Sequence, residues 1–147
     1  MMEDKDLLEY ENIGRKIKRN NKYTYVDASR IEDHGTRLYD VNGSRLPSVT
    51  TILGATKDKQ FLKDWKAKVG EQEAERIKNL SSTRGTAMHK FLEHYILGTG
   101  YDDLTEIGQK AKAMADKVIE IGLAPIEEYY GSEVTLYYPG LYAGSTD

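Results

Sequence analysis

From Lys22 onward the chain switches between two hydrophobic periods. KYTYVDAS (22–29) alternates and is rich in β-formers, and TRLYDV (36–41) does the same after the turn cluster Glu32-Asp33-His34-Gly35. The pair predicts a small hairpin. In RLPSVTTILG, Pro47 and Ser48 can open a short helix that Gly54 ends. Helical spacing then governs three segments. Phe61, Leu62, Trp65, Val69, Ala74, Ile77 and Leu80 predict a helix over 58–79. Ala87, Met88, Phe91, Leu92, Tyr95 and Ile96 line one broad face of a second helix over 83–97, which Gly98 and Gly100 stop. Leu104, Ile107, Ala111, Met114, Ala115, Val118 and Ile121 repeat the pattern over 103–122, before Gly122 and Pro125. The last stretch, EEYYGSEVTLYYPGLYAGSTD, alternates again and turns at Pro139-Gly140, so it predicts a second hairpin that ends in Asp147.

Three main helices with hairpins before and after them define an α/β chain, α+β by some reckonings. Residues 1–20 carry few apolar side chains and are expected to form a flexible arm, leaving 21–147 as a single domain. A hairpin is marginal by itself, so its ending mid-strand at Asp147 predicts further strands beside it.

The 147 residues suit one domain with a real core, and a charged content of 31% fits a folded chain in water. The chain has no cysteine, which excludes disulfides and thiolate metal sites and fits a reducing cytoplasm. Its first residues are acidic where a secretion signal needs positive charge, and no run reaches the ~18 apolar residues of a membrane helix. The net charge of −3 is unevenly spread: residues 99–147 hold nine acidic and three basic side chains, so residues 1–98 are basic overall. Such a division suits phosphates on one side and a divalent cation on the other, although ordinary solvated faces give the same pattern.

Several residues have the right chemistry for a site. At 100° per residue, His89 and Glu93 fall together at the edge of the apolar arc of helix 83–97, beyond Ile96. A neutral imidazole there can bind a divalent metal with the carboxylate orienting it, or the two can form a weak surface pair. Arg84-Gly85-Thr86 sits where the helix is expected to begin, so exposed amides and Arg84 can hold a phosphate; capping by Ser82 or Thr83 is the alternative. Ser48, Thr50 and Thr51 can hydrogen-bond a phosphate or cap a turn. Asp147, after the small residues Gly144-Ser145-Thr146, and Glu133 on the partner strand offer hard oxygens to a cation such as Mg²⁺.

Taken in order, LPSVTTIL, a Trp-containing basic helix, RGTAMHKFLE and EVTLYYPGLYAGSTD resemble RecB-like PD-(D/E)XK exonucleases. The nearest group is that of the phage exonucleases and the mitochondrial genome maintenance exonuclease, and the resemblance covers residues 46–147. It implies a restriction-endonuclease-like core, incomplete at its C-terminus, in an enzyme that hydrolyses DNA phosphodiesters with Mg²⁺ or Mn²⁺. The implied substrates are single-stranded DNA or duplex ends, in replication, recombination or repair in a bacterial or phage-infected cell. It also implies that His89 and Asp147 bind the metal, that Glu133 is an acidic catalytic position, and that Arg84, Ser48 and Thr50 touch the nucleic-acid backbone.

The family's D/E-x-K strand would follow Asp147. The chain is therefore expected to be inactive alone, unless a second polypeptide supplies that strand. The rival expectation is a non-enzymatic protein that binds nucleic acid or another protein on a nuclease-derived scaffold.

Overall fold

Two tight turns set the antiparallel ladder between Ala28 and Pro47. His34-Gly35 and Asn42-Gly43 both have left-handed backbones (φ 50° and 78°, 53° and 85°), as two-residue hairpin loops require. They join β2 (Ala28–Asp33) to β3 (Thr36–Val41), and β3 to β4 (Ser44–Pro47). The register places Asp33 opposite Thr36 and Val41 opposite Ser44. The Asp40 carboxylate accepts from the Gly43 N–H at 2.9 Å and steadies the second turn. Period two turns Tyr39 and Val41 to one face, where they pack with Leu46, opposite Tyr39 in the register, and with Ala143. β2 begins at Ala28, rather than at Lys22 as the alternation predicts, because its register is fixed from the His34-Gly35 turn backwards.

The computed structural model describes residues 17–147. Their contacts gather into two compact units. One holds residues 21–64 and 133–147; the other holds 65–132 together with 17–20. In the first unit Ser48 caps α1 (Val49–Thr56), and β6 (Val134–Tyr138) pairs antiparallel with β7 (Tyr142–Thr146). Ala143 of β7 also bridges Ser48 in parallel and is fully buried against Tyr39, Val41 and Leu46. That contact joins the C-terminal hairpin to the first ladder.

In the second unit α2 (Gln60–Val69), which begins in the first unit, stops at Gly70, whose φ of 90° cannot continue a helix. From there α3 runs unbroken from Glu71 to Leu97. The expected break near Ser81-Ser82-Thr83 is absent. Three small polar residues inside a helix cost only fractions of a kcal/mol each, whereas a break there would orphan backbone groups on both sides. Gly98, left-handed at φ 73°, then ends the helix. Thr105 caps α4 (Glu106–Lys117), accepting from the Gly108 N–H at 3.0 Å, and a π-helical turn continues over Val118–Leu123. Gly108 is required there, because a Cβ would strike Asp103. The core of this unit is Ala87 and Phe91 of α3 against Ala111 and Ala115 of α4, with Met88, Leu92 and Tyr101 around them.

The flexible arm expected over 1–20 lies mostly outside the described residues. Its end does not hang free: β1 (Lys18–Arg19) pairs in parallel with β5 (Glu128–Tyr129), and Ile17 is buried. The fold is thus mixed α+β. Among the described residues no helix is long and apolar enough to cross a membrane.

Candidate functional site

The open end of the β6–β7 hairpin carries the two carboxylates singled out in the sequence. Val134 opposes Thr146, so the next residues outward, Glu133 and Asp147, face each other across the ladder. The Glu133 N–H donates to the Asp147 carbonyl at 3.3 Å. A carboxylate oxygen of each lies within 4.8 Å of the other, and both residues are exposed. Two oxygens on one Mg²⁺ are at most about 4.2 Å apart, so a small side-chain adjustment lets both ligate one ion. The donor set fits a hard divalent cation, and such an ion would relieve the repulsion between two like charges. Glu133 has a left-handed backbone (φ 55°), a conformation that costs an L-residue roughly 1–2 kcal/mol. Strain of this kind gathers at functional positions.

Ser48 and Thr50 lie in the same unit. Ser48 is buried, its Oγ accepts from the Thr51 N–H at 3.0 Å, and it shares a 2.8 Å hydrogen bond with the Thr51 hydroxyl. The Thr51 hydroxyl also reaches the Arg37 carbonyl. Of the two roles open to Ser48, capping is the one whose bonds are in place. Thr50, in the first turn of α1, is exposed and its hydroxyl faces no such constraint. Gly144, of the Gly144-Ser145-Thr146-Asp147 run, lets β7 approach α1 closely: a Cβ there would sit 3.2 Å from a methyl of Val49.

His89 and Arg84 belong to the helical unit, both half-buried on α3. His89 lies about 160° round the helix from the fully buried Phe91, on the same side as the half-buried Glu93 four residues on. Arg84 and Gly85 are in mid-helix rather than at a helix start, so the amides expected to hold a phosphate are taken up in the helical ladder. Any phosphate contact at this point falls to the Arg84 guanidinium alone.

His94, given no role from the sequence, organises the end of α3. Its Nδ1 is 2.7 Å from the Thr99 hydroxyl and its ring stacks on Tyr101 at 5.0 Å. Tyr138 and Tyr142 pair across the hairpin turn, and the spacing Tyr-Pro-Gly-Leu-Tyr is the sequence signal for it. Comparison with known proteins finds no matching family model, no matching curated protein and no matching solved structure.

Proposed function

We propose that the chain carries the N-terminal part of a RecB-like PD-(D/E)XK deoxyribonuclease, a Mg²⁺- or Mn²⁺-dependent exonuclease acting on single-stranded DNA or DNA ends. The observation that supports this most is the meeting of Glu133 and Asp147 at the end of one hairpin, with Glu133 held in a strained backbone. On this reading Asp147 would hold the metal with Glu133 beside it on the hairpin, and the family resemblance also assigns His89 to metal binding. The metal, when bound, would activate water and offset charge on the phosphate under attack. Glu133 can accept a proton or orient a water, and Asp147 would hold the ion. Arg84 and Thr50 offer donors to the DNA backbone. The family's D/E-x-K strand, from further chain or from a second polypeptide, would complete the centre, so the 147 residues alone are expected to show little cleavage.

Calorimetric titration of Mn²⁺ tests the reading. The expected result is one site in the wild-type chain, lost in Asp147→Asn and weakened at least tenfold in His89→Ala, on the scale of about 1.4 kcal/mol per decade. Absence of a site, or a site indifferent to both changes, overturns it and favours the non-enzymatic scaffold. Rapid Mg²⁺-dependent degradation of single-stranded DNA by this chain would overturn the expected inactivity.

A further inference from the structure

The hairpin that carries the carboxylates has an aromatic opposite end. Tyr138 and Tyr142 face each other beside the turn, their rings stacked at 5.8 Å with 30° between planes. By register they share a face with Leu136 and Gly144, while the other face turns Ala143 into the core. Leu136, Tyr138 and Tyr142 stay 53%, 55% and 41% exposed and form one contiguous apolar face. A groove of about 370 Å³ runs along this hairpin, walled by Val49 and the tyrosines and floored at Gly144. Its lining side chains are all uncharged, and Thr146, on the same face of the hairpin as Tyr142 and Gly144, closes the lining toward the carboxylates.

We propose that this groove takes an unpaired nucleobase of single-stranded DNA, stacked on the Tyr138–Tyr142 pair. The occupant follows from the lining. A flat, neutral, aromatic group suits stacked rings and a glycine floor, while a charged ligand would find no counter-charge. Thr146 lies on the carboxylate side of the groove, where a sugar or phosphate of the same strand would pass. From Tyr142 to Asp147 is five residues of strand, roughly 17 Å, so the stacked base lies a few nucleotides from a phosphate at the hairpin end. Bases inside a duplex are already stacked and paired, so the platform selects single strands. The inference rests on the nuclease reading for its ligand class and adds to it the residues that choose strandedness.

The test uses fluorescence anisotropy of a labelled oligothymidylate with the full chain in EDTA, so that no metal chemistry enters. Tyr138→Ala and Tyr142→Ala are each expected to weaken binding roughly 5- to 150-fold, the range for losing one stacked base. Tyr138→Phe and Tyr142→Phe should retain it, and blunt duplex should bind more weakly than single strand. Should an Ala variant fail to fold, an iododeoxyuridine oligonucleotide photo-crosslinked to the wild-type chain gives the second reading: a crosslink at Tyr138 or Tyr142 supports the platform, and crosslinks only elsewhere refute it. Single-strand binding unchanged in well-folded Ala variants overturns the platform and leaves the nuclease reading to the Mn²⁺ titration. No binding to single strands, or Ala variants that alter only self-association, overturns it as well. Loss of Mn²⁺ binding with intact tyrosine-dependent DNA binding would instead remove the nuclease reading alone.

Discussion

Replacing Phe91 by alanine probes what holds the helical unit together. Phe91 is fully buried, and the residues around it on α3 and α4 are mostly small: Ala87, Ala111 and Ala115. Its ring meets Tyr101 edge-on at 4.8 Å. Removing a buried Phe side chain costs about 3–5 kcal/mol, and the cost rises when neighbours cannot close the void. Three alanines cannot reach into it. The loss of the edge-on pair adds about 0.5–1.5 kcal/mol. The upper part of the range is therefore expected, some 4 kcal/mol or more, a large share of the 5–15 kcal/mol that stabilises a typical domain. Urea unfolding followed by circular dichroism measures it, with Leu104→Ala, at a side chain 68% exposed, as a control that should change by less than about 0.5 kcal/mol. A loss below about 1 kcal/mol in Phe91→Ala, or equal losses in both variants, would refute the packing argument.

Other outcomes follow from single contacts. Ser48→Ala removes the cap of α1 and leaves the Thr51 N–H without its acceptor, while the Thr51 hydroxyl keeps the Arg37 carbonyl, so a loss of about 1–2 kcal/mol is expected in the same unfolding assay. Glu133→Gly should be more stable than Glu133→Ala by roughly 1–2 kcal/mol, because both lose the carboxylate and only glycine accepts the left-handed backbone freely. Equal stabilities would contradict the strain. The Asp103 carboxyl is held below its ordinary range by hydrogen bonds from the Thr105 hydroxyl at 2.6 Å and the Thr105 N–H at 3.0 Å. A lowered folded pKa stabilises above the unfolded value and is lost as pH falls through the folded one. The stability advantage of wild type over Asp103→Asn should therefore shrink as pH is taken from neutral to below the carboxylate range, and an advantage that grew in acid would reverse the sign.

The parts of the fold written in periodicity were legible in the sequence. Phe91 and Tyr95 stand out at helical spacing, and the Val134–Thr146 alternation with Pro139-Gly140 between its halves is a hairpin by inspection. What escaped was decided by local competition. Asn42-Gly43 is the strongest short hairpin signal in the chain, yet the strand Ser44–Pro47 is masked in the sequence because Pro47 and Ser48 also signal a helix start. The two claims are compatible: β4 ends at Pro47 and Ser48 caps the helix that follows. Ser82 and Thr83 read as a cap because a cap and a tolerated mid-helix run use the same residues, and only tertiary packing separates them. Within the site, the nearness of Glu133 and Asp147 was readable because strand register fixes it. The strain at Glu133 was not, since nothing in the residue type announces a left-handed backbone.

The central claim is that the hairpin end binds a divalent cation, and Mn²⁺-induced line broadening in the ¹⁵N amide spectrum of the chain tests it most directly. The account predicts that the first signals to broaden are those of Glu133, Val134, Thr146 and Asp147, and that Asp147→Asn abolishes the effect. Broadening centred on Asp102-Asp103, or on Glu71–Glu75, with the hairpin end untouched would contradict it.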